Sequence, residues 1–327
     1  MEENPNRPDK FPESPSIPNN APWQMPAPKV QVVLLALLSG CIFFALASTF
    51  LSQMVVSWGG WNENLMSGTL AADASATERW QMRLLLGIRH FATFTLAGWL
   101  VVWMLYRGVT RPRPDWTDYL LARKAPRVTD AALGMLLLLV SVPFVLYLFQ
   151  INKMLPIPDT FRELEAQANE ALKALLHMDN VGELLGNLFL IALLPALGEE
   201  LVFRGVVQQQ LMRRIANPWV ALAVSAAIFS FFHFQFEGFL PRFLLGFLLG
   251  WLYWQTRNFW VPVIAHFFNN GVQVIAQYGW GDKETVIDLE NDVQVPWFVG
   301  LLSLLMVLAV MRVIISSSKE KATIFEE

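Results

Sequence analysis

The sequence predicts an all-α polytopic membrane protein, about eight transmembrane helices forming a bundle around an intramembrane polar cavity, with an amphipathic helix on its surface. Three observations predict it. Of 327 residues, 54% are apolar and only 16% charged, with a mean hydropathy of +0.41, far greasier than a soluble domain. Apolar runs long enough to cross a bilayer recur along the chain. Lysine and arginine collect in alternate connections, as cytoplasmic loops require. The net charge of -3 and pI near 5.9 give no basic field, so membrane lipids are implied as surroundings and nucleic acid is not a partner.

Residues 1–29 are proline-rich and polar, too poor in apolar surface to offset chain entropy, and read as a disordered cytoplasmic tail. The apolar run that follows reads as a retained anchor rather than a cleaved signal. The spanning runs are 30–56, 84–106, 131–150, 183–203, 218–236, 241–258, 259–280 and 296–316, with the sixth and seventh meeting near Asn258. They divide the chain into three N-terminal spans with an amphipathic insert at 160–178 (residues 30–180), a polar-cored segment (181–280), and an external loop, last span and cytoplasmic tail (281–327). With both termini cytoplasmic, 16 of the 24 lysines and arginines fall inside, six of them between the second and third spans (Arg107 to Arg127). The acidic stretch 282–292 falls outside. Cys41, the single cysteine, lies in the first run and reads as a small apolar residue with no disulfide or CxxC site to join.

The insert opens on Thr160-x-x-Glu163, the pattern of a capping box. Phe161, Leu164, Ala168, Leu172, Leu175 and Leu176 then recur at helical spacing, predicting a helix on the outer surface or over the bundle. It reads as a connector or as a lid over a substrate entrance, and its His177 as solvated.

Ionisable residues inside spans cost about 2.5–3.5 kcal/mol each on insertion scales, so they locate function. Glu199, Glu200 and Arg204 interrupt the fourth span. Glu200 and Arg204, at i and i+4, share a face and can pair, whereas Glu199 points about 100° away and stays available. His233 follows Phe229 by one turn late in the fifth span, and His266 and Asn270 share a face of the seventh. Each has a structural alternative: a helix-end ion pair, a satisfied core histidine, a helix–helix amide clamp. His90, beside Arg89 in the second span, reads as an interface or packing residue. Together the set supplies a carboxylate to deprotonate water, an imidazole to hold it, and donors for an oxyanion. Neither HExxH nor GxSxG is present. A fourth helix continuing to Arg214 puts Glu200 and His233 level, roughly 22 Å from the turn, but His266 only about 10 Å from its own turn. The three then meet if the polar Gln208–Gln210 and Arg213–Arg214 protrude into the cytoplasm, or if a helix is re-entrant or broken.

The ordered set EExxxR (Glu199 to Arg204), FxxxH (Phe229 to His233) and HxxxN (His266 to Asn270) on separate apolar helices resembles the CPBP family, the CAAX prenyl protease and bacteriocin-processing intramembrane endopeptidases. The resembling core covers about 183–280. It implies Glu199 as general base, His233 as its partner in positioning water, His266 and Asn270 as oxyanion donors, and Glu200, Arg204 and Phe229 as structural support. It also implies a lipidated or hydrophobic peptide as substrate and a bacterial cytoplasmic membrane as location. No cofactor is favoured; if a metal is used it is zinc, on Glu199, His233 and His266, though an amide such as Asn270 is a poor zinc ligand. The rival reading is a non-proteolytic scaffold or immunity-type protein that keeps the cluster for partner binding; a transporter would show interrupted helices in two inverted halves, which are not evident.

Overall fold

The computed structural model describes residues 29–68, 70, 74–107, 116–280 and 294–324. The N-terminal tail before residue 29 and the acidic 282–292 stretch lie outside them. Nine principal helices follow in chain order. They are α1 (Val30–Gly59), α2 (76–107), α3 (Val128–Lys153), α4 (Asp159–Leu176), α5 (Val181–Arg214), α6 (Pro218–Phe231), α7 (Phe239–Thr256), α8 (Trp260–Trp280) and α9 (Trp297–Ile324). Each predicted apolar run holds a helix and the insert is α4; among the described residues there is no strand.

Five of these, in α1, α2, α3, α5 and α9, are long and apolar enough to cross a membrane. α6 has only 14 residues, about 21 Å, and α7 and α8 carry more aromatic and amide groups. α7 packs in the middle of the protein, against α3, α6 and α8, whereas α6 keeps Trp219, Val220 and Phe231 exposed.

The ends are set by local chemistry. Ser75 and Glu78 form a reciprocal capping box at the start of α2. Asn180 accepts from the Glu183 amide at 3.1 Å to start α5, and Asn217 caps α6 ahead of Pro218. The box expected at Thr160 and Glu163 does not form: α4 begins at Asp159 behind Pro158, with no side-chain cap, so Thr160 is already inside the helix. The α7–α8 corner turns on Arg257 in the left-handed region (φ 53°), and Asn258 bonds the Trp260 amide and the Lys124 carbonyl. Pro143 interrupts α3; there the Ser303 hydroxyl of α9 donates to Val140 O at 2.6 Å and accepts from the Phe144 amide at 3.1 Å, tying the two helices together.

Two polar assemblies fix the ends of the bundle. At one, Arg79 and Arg83 of α2 clasp the wholly buried Glu183 of α5, with Arg79 also on Asp179 and Arg83 on Asn187 and the Leu175 carbonyl. At the other, residues 116–124 lie across the bundle. Gln209 donates to Tyr119 O and to the Tyr253 hydroxyl, Gln210 to the Tyr119 hydroxyl, and Trp260 to Ala122 O. Gln208, Gln209 and Gln210 are therefore fully buried. Whatever its depth, this segment is covered by protein: its amides face backbone and phenol partners.

Candidate active site

α5 is not a uniform helix. Wider π-helical turns at Leu188–Leu193 and Leu201–Gln208 flank the α-helical Leu194–Glu200, and a third, Phe91–Leu96, follows His90 in α2. Such turns cluster at functional sites because they redirect side chains without breaking the helix. Here they bracket Glu199 and Glu200. Beside them Gly198 lets α2 come close: a Cβ there would lie 2.8 Å from Thr95 Oγ1 and 3.3 Å from His90 Cε1.

The buried Glu199 carboxylate has an imidazole at each oxygen. His90 Nε2 is 3.3 Å from Oε1 and His233 Nε2 is 3.9 Å from Oε2. The carbonyl of Phe229 can only accept, so His233 Nδ1 donates to it at 2.9 Å, leaving Nε2 of the neutral ring as an acceptor facing Glu199. His233 lies beyond the end of α6, in a turn where Phe234 takes a φ of 52°, and not within the span as expected.

Glu200 takes a separate part. Its Oε1 accepts from Arg204 Nη1 at 3.0 Å and from His266 Nδ1 at 2.9 Å, while Arg204 Nη2 donates to Gly246 O at 2.8 Å. Glu200 and Arg204 are excluded from solvent, and the Arg204 guanidinium lies 4.9 Å from the centre of the Phe229 ring. Phe229 also meets the rings of Phe203, His233 and His266 edge-on. The predicted supporting trio is thus one buried unit, in which pairing and hydrogen bonds offset desolvation.

Asn270 is placed differently from expectation. Its Nδ2 donates to Ile191 O at 3.3 Å, inside the first π turn of α5, and its Oδ1 accepts from Asn269 Nδ2 at 3.1 Å. One amide proton therefore clamps α8 to α5, the alternative weighed from the sequence.

His90 is the interface residue the sequence suggested, stacked on Phe94 where α2 meets α5, and it adds what the sequence did not show: a contact with Glu199. An ionisable side chain inside an apolar run was the available signal. What concealed it was their separation by 109 positions, a contact no local spacing encodes.

No set of three or more His, Cys, Asp or Glu side chains among the described residues is placed to hold a metal. Zinc needs its nitrogen and oxygen donors at about 2.0–2.2 Å from one point. His266 turns its Nδ1 to Glu200, so Nε2 is the ring nitrogen it has left to offer a metal.

Helices of which five are long and apolar enough to cross a membrane thus gather a carboxylate and imidazoles into one polar site. The comparisons narrow this. Residues 181–272 match the family described as type II CAAX prenyl endopeptidase Rce1-like. It is similar to YdiL of Bacillus subtilis (strain 168), named as a membrane peptidase, with 33% identity over 79 residues, covering 24% of this chain and 32% of that protein. It is also similar to the membrane-embedded CAAX protease MroQ of Staphylococcus aureus (strain USA300), with 33% identity over 95 residues, covering 28% of this chain and 38% of that one. The similarity thus spans well under half of either relative. No solved structure matches.

Proposed function

We propose that the protein is an intramembrane endopeptidase that hydrolyses a peptide bond of a membrane-associated, hydrophobic or lipidated peptide with a water activated by Glu199. The observation that carries this reading is the convergence of His90 and His233 on the one carboxylate that is not committed to Arg204. Two acceptors, Glu199 Oε2 and His233 Nε2, stand 3.9 Å apart, a spacing that suits a water donating one hydrogen to each and turning its lone pair to a substrate carbonyl. In the reaction the water oxygen bonds to the carbonyl carbon as Glu199 takes its proton. The carbon–nitrogen bond then breaks and Glu199 returns the proton to the leaving amine. His90, donating to Oε1, holds the carboxylate in place.

The oxyanion donors are the less direct part. His266 spends its Nδ1 proton on Glu200, so it donates to an oxyanion only when Nε2 also carries a proton; Asn270 offers its second amide proton. No step is routed through a metal. A requirement for divalent ion, restored by zinc alone after complete chelation, would reverse that choice.

The test is cleavage of a hydrophobic peptide by purified protein in proteoliposomes. Glu199→Gln keeps shape and removes the base; general-base catalysis contributes about 10²–10⁴-fold, so the rate should fall by at least that range's lower end while the protein stays folded. Undiminished cleavage rejects the reading.

A further inference from the structure

α3 connects two unlike faces of the bundle. Its first residue follows Arg127, and Asn152 near its other end, about 36 Å away, donates to Phe236 O and accepts from the Leu240 amide. The face at Arg127 carries residues 116–124 and, in sequence, the six cations from Arg107 to Arg127. The face at Asn152 carries α4.

The candidate site is closed toward the first of these. Between Glu200 and residues 116–124 lies one continuous apolar layer, including Val202, Phe203, Val206, Tyr119 and Leu120, backed by the buried glutamines 208–210. Toward the second face the wall is polar. From His266, α8 presents Asn270, Gln273 and Gln277 at successive turns, with Gln273 exposed. The turn that carries His233 runs directly into contacts with α4: Gln235 donates to Asn169 Oδ1 at 3.2 Å, the Glu237 amide to Glu165 Oε2 at 3.0 Å, and the Phe161 and Phe236 rings pack 4.6 Å apart. Glu199, His90 and His233 keep partial exposure, whereas Glu200 and Arg204 have none.

Cationic connections stay in the cytoplasm, so the sealed face is the cytoplasmic one. We infer that the site opens on the extracytoplasmic face, beneath α4, and that its substrate class is a peptide segment presented from the outer side of the membrane rather than a tail presented from the cytoplasm. This rests on the endopeptidase reading for the word substrate, but the direction of opening stands on geometry and charge alone. It also gives α4 a position over the route to the site, on the same side as the polar stripe of α8.

Because Cys41 is the single cysteine, Cys41→Ser provides a background for site-directed labelling with a membrane-impermeant maleimide. Glu170→Cys on α4, Gln273→Cys on the α8 stripe and Arg123→Cys beside the seal are separate reporters at exposed or rim positions. In intact cells, Glu170→Cys and Gln273→Cys should react and Arg123→Cys should react only after permeabilisation. Reaction of Arg123→Cys in intact cells, or of Gln273→Cys only after permeabilisation, overturns the inference. Lys173→Cys repeats the α4 measurement if Glu170→Cys fails to accumulate. Labelling is read without any cleavage assay. A reversed pattern with Glu199-dependent cleavage intact would remove the direction of opening alone; the expected pattern with undiminished cleavage by Glu199→Gln would remove the catalytic reading alone.

Discussion

Glu199 and Glu200 are adjacent in sequence yet have different chemistry, because a step of about 100° around the helix sends one toward Arg204 and the other toward His90 and His233. One carboxylate is committed to the arginine, and the other is left to the two imidazoles. His90 is the residue on which this division most depends beyond the sequence motifs. A hydrogen bond to a charged group is worth about 1.5–3 kcal/mol, so His90→Ala should lower kcat roughly 10- to 100-fold with little change in KM, measured on a hydrophobic peptide in proteoliposomes. A purely packing role would instead reduce the folded fraction and leave the kcat of the remainder unchanged. The EExxxR, FxxxH and HxxxN spacings were readable because each lies within one helix or its end, where residue number fixes direction. The His90 contact and the clamping bond of Asn270 were not, because both are made between helices.

At the scale of elements, α2 and α5 approach closely enough to touch at the Glu199 carboxylate because position 198 has no side chain. Gly198→Ala would place a methyl 2.8 Å from Thr95 Oγ1 and 3.1 Å from Phe94 Cβ, forcing the helices apart. Overpacking of this kind costs about 1–3 kcal/mol, so thermal unfolding in detergent should drop and cleavage should fall with it, as Glu199 separates from His90. The docking of α4 should depend on pH. Burial pushes the Glu165 carboxyl above its ordinary range and the Glu237 charge adds to this, while the Glu237 amide and Arg242 oppose it. The docked helix therefore binds that proton more tightly than an undocked one, so docking is strongest below the ordinary carboxylate range and weakens as pH rises through it. Hydrogen exchange of the α4 amides, corrected for intrinsic rate, should show more protection at about pH 5 than at about pH 8. Glu165→Gln should abolish that difference while its amide oxygen still accepts from Glu237.

Across the whole molecule, the two faces are held by different means: a buried Arg79–Arg83–Glu183 network on one and a phenol–amide network on the other. Tyr253 joins the second to the bundle, accepting from Gln209 at 2.8 Å and donating to Leu120 O at 3.2 Å. Tyr253→Phe leaves a buried carbonyl and amide short of partners, which costs about 1–3 kcal/mol. Stability in detergent should fall by that order, and kcat on a hydrophobic peptide should stay close to the parent value, because the apolar layer still separates this network from Glu199. By itself the sequence determined the all-α membrane architecture, the eight apolar runs and the amphipathic α4, because hydrophobicity and helical period are local properties. It also determined which carboxylate pairs with Arg204, through i,i+4 spacing. Tertiary structure alone decided that Gln208–Gln210 are buried, that His90 joins Glu199, and that the Thr160 cap gives way to a start at Asp159. Those outcomes depend on which distant backbone and side-chain groups supply the missing hydrogen-bond partners, and on how closely two helices can approach at a glycine.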